Sequence, residues 1–338
     1  MSNKNIIIPI FIPHKGCPFD CIFCNQKNIS GQIKDMDENQ IRNIIESFIH
    51  SIPKGNISEI AFYGGSFTGI EKEQQLKFLD IANEYIKNGY VKGIRISTRP
   101  DYIDQDILDY LKSYNVTTIE LGVQSLDEEV LKAAFRGHGV REVYHSSGLI
   151  KKNGFVLGIQ TMVGLPKDTP EKALYTAKKV VEISPDLVRI YPVLVIRDTY
   201  LEKMYYSGEY APLELNETVD LCSKLVKIYR ENNINVIRIG LQTTENINKD
   251  GDVIAGPFHP ALRQLVESKI ALDAIEKEIQ RKNLKEKDVI IISTSKEKIS
   301  DVIGQKKSNI MYLKEKYKYK RVLVRISKGK HEHCDIKY

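Results

Sequence analysis

The sequence predicts an α/β fold, a parallel sheet covered by helices and followed by a small α+β region. Three observations predict it. Short apolar, β-branched runs alternate with amphipathic stretches of helical period over the first 240 residues or so. Polar and glycine-rich segments follow these runs, which is where α/β folds carry their functional loops. Near residue 281 the composition turns strongly basic and the order of elements changes. Repeated βα units of this kind imply a parallel sheet buried on both faces, either doubly wound or barrel-like.

Taken in order, the strand-like runs are Ile6–Phe11, Glu59–Tyr63, Gly93–Ser97, Thr117–Leu121, Phe155–Thr161, Leu187–Tyr191 and Asn235–Ile239. Between them the spacing predicts helices over Asp37–His50, Glu71–Lys87, Asp104–Tyr114, Asp127–Ala134, Val140–Asn153, Pro170–Ile183 and Leu215–Asn232. Several start at Asp, Thr or Ser and end near Gly or Asn, the residue types that satisfy orphan amides and carbonyls at helix ends. A helix from Pro260 to Asn283 is expected to connect residues 1–262 to a domain over 285–338, with 263–284 as the connector.

At 338 residues, 42% hydrophobic and 28% charged, the chain has the make-up of a soluble globular protein, long enough for one large domain and a small one. Five cysteines, three of them clustered, do not read as a disulfide framework and favour a reducing, cytoplasmic setting. The apolar run Ile6–Ile12 is short and broken by Pro9, so it reads as a buried strand rather than a signal peptide or membrane span. Charge is uneven. Residues 281–338 hold 17 Lys and Arg against 7 Asp and Glu, whereas the rest of the chain is net acidic. That asymmetry fits an anionic partner for the C-terminal region, although a solvated Lys-rich surface would look the same.

Cys17, Cys21 and Cys24 stand in a C-x-x-x-C-x-x-C pattern directly after the first strand. Three thiolates this close can converge on one soft metal centre. Structural zinc sites recruit four ligands, and ferredoxin-type runs also supply a fourth Cys. Cys222 and Cys334 are far away in sequence, so no fourth thiolate is apparent. A [4Fe-4S] cluster held by three cysteines leaves one iron open to a small molecule. A zinc knuckle or three core cysteines are the plainer alternatives, which the Gly and Pro flanks and the missing ligand disfavour.

With Phe23 before the third Cys, the motif resembles that of the radical S-adenosylmethionine (SAM) enzymes. The resemblance implies a [4Fe-4S] cluster whose open iron binds the amino and carboxylate groups of SAM. Reductive cleavage then yields a 5′-deoxyadenosyl radical, fed by a low-potential donor such as flavodoxin or ferredoxin. Further segments extend the likeness: Tyr63-Gly64-Gly65-Ser66, Ser97-Thr98-Arg99-Pro100-Asp101, Glu120-Leu121-Gly122-Val123-Gln124-Ser125, Phe135-Arg136-Gly137-His138, Gly158-Ile159-Gln160 through Pro166, Arg189 through Thr199, and Pro257 through Val266. Together they resemble the radical SAM domain of the Elongator catalytic subunit, a tRNA wobble-uridine-modifying enzyme, and imply a partial (β/α) barrel. Roughly seventy residues follow that match, too few for the acetyltransferase domain of that subunit, so carboxymethyl transfer is not expected.

Carried over residue by residue, the resemblance implies that Cys17, Cys21 and Cys24 ligate iron and that Gly64, Gly65 and Ser66 meet the SAM amino group. Ser66 departs from the Glu common at its place. Phe23 and Ile159 are expected near adenine, and Gln124 and Gln160 near the ribose or carboxylate. Arg99, Arg189 and Arg238 are candidates for the SAM carboxylate or a substrate phosphate, with strand-end salt bridges as the ordinary alternative. Tyr63, Tyr191, His138 and His259 have plain roles available as barrel-mouth or loop-bracing residues.

After residue 285 the expected order is strand Asp288–Ser293, helix Lys296–Val302, loop Ile303–Ser308, helix Asn309–Tyr317 and strand Arg321–Ser327. This resembles the minimal KH RNA-binding domain, whose GxxG loop grips a nucleotide backbone, and it implies an RNA partner, tRNA or rRNA, at Gly304, Gln305, Lys306 and Lys307. Lys307 stands where the second glycine would be. The alternatives are a structural αβ appendage and a radical SAM enzyme acting on a small molecule. Cys222 reads as a core hydrophobe, and the tail residues His331, His333 and Cys334 as an adventitious metal site.

Overall fold

Strand order decides between a doubly wound sheet and a barrel. The computed structural model describes residues 6–12, 21–25, 36–52, 56–241, 251–327 and 335–337. Its first strands are β1 (Ile6–Ile12), β2 (Ile57–Gly64), β3 (Gly93–Thr98), β4 (Val116–Gln124), β5 (Val156–Val163), β6 (Leu187–Pro192), β7 (Val195–Ile196), β8 (Asn235–Ile239) and β9 (Val253–Ala255). One seven-stranded sheet runs β1-β2-β3-β4-β5-β6-β8, every pair parallel, while β7 and β9 form a short antiparallel ribbon. Each strand therefore lies beside the next βα unit, and the order never reverses as it does at the switch point of a doubly wound sheet. Among the described residues β1 does not pair with β8, so this is a partial (β/α) barrel.

The helices are α1 (Glu38–Ser51), α2 (Lys72–Lys87), α3 (Gln105–Ser113), α4 (Glu128–Ala133), α5 (Val140–Lys152), α6 (Pro170–Ile183), α7 (Tyr200–Tyr206) and α8 (Leu215–Glu231). Their starts are set by short polar side chains. Asp37 closes a capping box with Gln40, and Asp104, Asp127, Thr169 and Thr199 each accept an N–H three residues on.

Alternation along the strands separates two faces. One carries Ile8, Ile10, Ile60, Phe62, Ile94, Ile96, Ile119, Leu121, Leu157, Ile159, Val188 and Ile190, all fully buried. Each such side chain contributes about 1.5–3 kcal/mol by leaving water. The other face carries Glu59, Arg95, Glu120, Gln160 and Arg189, linked by hydrogen bonds described below. Strand β4 runs three residues beyond the expected Leu121. The sequence stops alternating at Gly122, but the strand continues through a register shift between Gly122 and Gln124, and Gln124 takes φ 69°.

The chain divides into two compact units, Met1–Leu213 with Ile228–Phe258, and Glu214–Lys227 with His259–Tyr338. The second contains α9 (Leu262–Arg281), β10 (Val289–Thr294), α10 (Ile299–Ile303), α11 (Ser308–Tyr317), β11 (Arg321–Ile326) and β12 (Asp335–Lys337). Its sheet runs β11-β10-β12, with β10 parallel to β11 and antiparallel to β12. The helix read from sequence as a connector, α9, places Ile275 and Ile279, one turn apart, in a core with Ile290, Ile292, Val302, Leu313 and Ile336. Among the described residues no helix is long and apolar enough to cross a membrane.

Candidate functional site

The site is assembled at the C-terminal ends of the strands. Cys21 is 4% exposed and Cys24 half-buried; Cys17 and the tail cysteine and histidines lie outside the described residues. The segment is held by its backbone. Ile22 donates to the Ala134 carbonyl at 3.4 Å and accepts from the Leu201 N–H at 2.8 Å, while Cys24 N–H closes a turn on the Cys21 carbonyl at 2.9 Å. Asn25 Nδ2 donates to the Arg197 carbonyl at 3.0 Å. Phe23 packs against the apolar cluster of Ile22, Val130, Leu165 and Val193. Arg136, from the loop after α4, donates Nη1 to Cys21 Sγ at 3.1 Å.

The end of β2 lies beside the end of β1, with Gly64 opposite Ile12. Gly64 has φ 110°, and a Cβ there would sit 2.4 Å from the Ile12 carbonyl oxygen, so only glycine fits. The missing side chain at Gly64 therefore lets the end of β2 pack directly against the β1 backbone. Ser66 is used differently. Its Oγ lies 2.8 Å from Thr98 Oγ1 and accepts the Arg99 N–H at 3.3 Å, tying the second and third loops together. Arg99 forks onto Asp101 at 2.9 Å and donates to the Arg136 carbonyl at 2.6 Å, as the salt-bridge alternative foresaw.

Around Gly122 the structure holds polar atoms with no partner. A methyl placed on Gly122 would lie 3.3 Å from Gln124 Nε2 and 3.5 Å from Arg136 Nη2, so both side chains converge there. Gln124 Oε1, Arg136 Nε and His138 Nε2 are buried and unbonded among the described residues. Buried polar atoms in this state call for a ligand or water. Burial, with Arg136 and Arg99 nearby, pushes His138 down to about 4, so it is neutral near pH 7. His259 braces its own loop, accepting the Ala261 N–H at 3.0 Å.

Glu59, Arg95 and Glu120, to which the sequence assigned no role, form a floor with the candidates Gln160, Arg189 and Tyr63. Glu120 is fully buried and accepts from Arg95 Nη1 at 2.6 Å, from Arg189 Nε at 2.6 Å and from Gln160 Nε2 at 2.9 Å. Arg95 reaches on to Glu59 at 2.6 Å, and Arg189 to the Tyr63 hydroxyl at 2.7 Å. Burial works against the charge on Glu120, but Arg189 and then Arg95 outweigh it and hold the carboxyl below its ordinary range. Tyr63 is raised by burial and by Glu120. The signal was present in the sequence as a charged or amide residue inside otherwise apolar strands. Ile159 is on the opposite side of β5 from Gln160, fully buried on the helix-covered face, so a ligand over this floor meets only its main chain. Cys222 is buried in α8, its thiol pushed up to about 12 by burial, as a packed hydrophobe would be.

In the second unit, Gly304, Gln305, Lys306 and Lys307 join α10 to α11. A Cβ on Gly304 would lie 2.4 Å from Ser308 Oγ and 2.8 Å from Asn309 N. Lys306 and Lys307 are exposed and take left-handed backbone, φ 53° and 65°. Lys307 is the N-cap of α11 and offers no side-chain cap.

The chain matches the Radical SAM superfamily over residues 11–180, about half its length. It belongs to that superfamily. Residues 185–271 match the Radical_SAM C-terminal domain. The chain is similar to an uncharacterized protein of Methanocaldococcus jannaschii, 31% identical over 217 residues, 63% of either chain. Elongator complex protein 3 of Saccharomyces cerevisiae is 34% identical over 53% of this chain. The tRNA uridine(34) acetyltransferase of Methanocaldococcus infernus is 31% identical over 49% of it. The match spans 35% of each of these two longer proteins. In fold, the chain is similar to the archaeal Elp3 of M. infernus, with a TM-score of 0.61 at 23% identity, covering 83% of this chain and 64% of that one. Radical SAM enzymes use a [4Fe-4S] cluster and SAM.

Proposed function

We propose that this radical SAM enzyme modifies an RNA, tRNA or rRNA, with Cys17, Cys21 and Cys24 as the cluster ligands. The described site fits these cofactors. Two soft sulfur donors sit in a loop clamped at Ile22, and among the described residues Gln124 Oε1 is a buried acceptor lacking a donor. Bound there, the cluster and SAM supply one-electron cleavage of the sulfonium and abstraction of a hydrogen atom from substrate. The protein's part is to bind and orient. In this reading the Gly64 and Gly65 backbone receives the amino acid end of SAM, Gln124 its ribose or carboxylate, and Phe23 lies near adenine. Ser66 and Arg99 brace the loops, while Gln160 and Arg189 act through the Glu120 floor. A low-potential flavodoxin or ferredoxin supplies the electron, in the cytoplasm.

The loop Gly304–Lys307 is the observation that carries the RNA substrate. Two exposed lysines precede an uncapped helix in a region with a charge of 17 basic against 7 acidic residues. The order β10-α10-loop-α11-β11 supports a KH-like reading, with Lys307 adopting the left-handed conformation that glycine takes more cheaply. Relatives named for tRNA chemistry support the same class. A small-molecule substrate is the second reading, favoured by the polar floor of Glu120, Arg189 and Gln160.

Mass spectrometry of nucleosides from tRNA and rRNA, with and without the gene, tests the proposal. Loss of one modified nucleoside is expected. No change in either pool, with 5′-deoxyadenosine still formed by the reconstituted protein, moves the assignment to the small molecule.

A further inference from the structure

Among the described residues four arginines are at least nine-tenths buried: Arg95, Arg99, Arg136 and Arg189. Three of them are neutralised. Arg95 pairs with Glu59 and Glu120, Arg99 with Asp101, and Arg189 with Glu120. Arg136 differs. Among the described residues no carboxylate lies within ion-pair distance of it; its Nη2 donates to the Gly122 carbonyl, its Nη1 to Cys21 Sγ at 3.1 Å, and its Nε to nothing. Burying a guanidinium without a counter-charge is costly, and a neutral thiol repays little of that cost. The backbone nevertheless builds the placement deliberately. Phe135 and Gly137 on either side take φ 53° and 73°, and the Arg136 carbonyl is held by Arg99 at 2.6 Å.

We propose that Arg136 is the counter-charge of the iron–sulfur cluster, a positioning residue whose guanidinium donates to the Cys21 ligand sulfur and raises the cluster's reduction potential. The inference rests on Cys21 being a cluster ligand. A thiolate-ligated cluster carries the negative charge that the described residues do not supply to Arg136, which accounts for a buried arginine with no carboxylate partner among them. Reduction adds one more negative charge. A buried cation and an N–H···S bond therefore stabilise the reduced state more than the oxidised one, as outer hydrogen bonds to cluster sulfurs do in general.

The test uses the full chain reconstituted anaerobically with iron and sulfide, as wild type, Arg136→Gln and Arg136→Lys. Iron and sulfide per chain are measured first, then a potentiometric titration is followed by electron paramagnetic resonance without SAM or substrate. At the wild-type midpoint, the reduced-to-oxidised ratio of Arg136→Gln is expected to fall tenfold or more, about 59 mV for a one-electron couple. Arg136→Lys, which keeps the charge, is expected between the two. Equal midpoints in wild type and Arg136→Gln overturn the inference while leaving the cluster assignment standing. Loss of the cluster from both variants, with helical circular dichroism unchanged, also overturns it, because the residue then acts through loop shape. No cluster in the wild type removes the reading of Cys21 and the inference together. Should Arg136→Gln fail to fold, wild type grown on 15N-arginine decides by electron–nuclear double resonance. A 15N coupling to the reduced cluster is expected, and its absence overturns the inference.

Discussion

Charge is handled in opposite ways in the two units. On the inner face of the seven-stranded sheet, Glu59, Arg95, Glu120 and Arg189 are matched charge against charge at 2.6 Å, with Glu120 fully buried. On the loop of the second unit Lys306 and Lys307 are exposed, and among the described residues neither has an ion-pair partner. Buried charge is committed to the protein, because desolvated ions persist only when paired. Exposed charge is free for a ligand and adds little to stability. The first arrangement makes a rigid polar floor, and the second a surface whose energy appears on binding an anion.

Removing the shared acceptor breaks the comparison most severely. Glu120→Ala leaves Arg95 and Arg189 without their common partner and is expected to cost about 3–5 kcal/mol in urea unfolding; a loss under about 1 kcal/mol would mean that water enters the floor.

His138 sharpens the same point through pH. Its value of about 4 lies below the ordinary 6.5, so between those pH values the unfolded state binds more protons than the folded one. Stability from this residue is present above about pH 6.5 and is lost as pH falls towards 4, by up to about 3 kcal/mol. Asp168, raised by burial to about 6, works in the opposite direction over much of that range. The measurement is therefore the wild-type stability minus that of His138→Gln, which is expected to shrink from pH 7 to pH 4.5.

Ile159→Val tests the helix-covered side of the sheet. It is expected to cost about 0.5–1.5 kcal/mol of stability and to leave SAM affinity unchanged in equilibrium dialysis of the reconstituted protein. Weakened SAM binding would place this side chain against the ligand after all.

The smallest effect on stability is expected at the second unit's loop. Changing Lys306 and Lys307 together to Ala should alter the unfolding free energy by less than about 0.5 kcal/mol. In the same variant the salt slope of RNA binding should fall by about 1.4, the release of counterions from two phosphate contacts on a single strand. An unchanged slope would remove this loop from the RNA interface.

Much of this was legible in the sequence because it is local. The βα periodicity, the capping residues Asp37, Asp104 and Asp127, the Cys motif and the glycines after β2 each depend on neighbours a few residues away. Other residues were harder to assign because their meaning depends on register. Ser66, read as a ligand contact, and Arg99, read as a ligand contact or a salt-bridge residue, make hydrogen bonds that link separate loops. Glu120 meets Arg95 and Arg189 across 25 and 69 residues of chain.

What the sequence determined by itself was the alternation of strands and helices, the spacing of the three-cysteine motif and the basic C-terminal region. Tertiary structure decided that the strands follow one another without reversal, that α9 belongs to the core of the second unit, and that Arg136 reaches Cys21 across 115 positions. Local pattern records which face of a strand or helix is apolar. Strand register and loop closure alone determine which polar side chains that geometry brings within hydrogen-bonding distance.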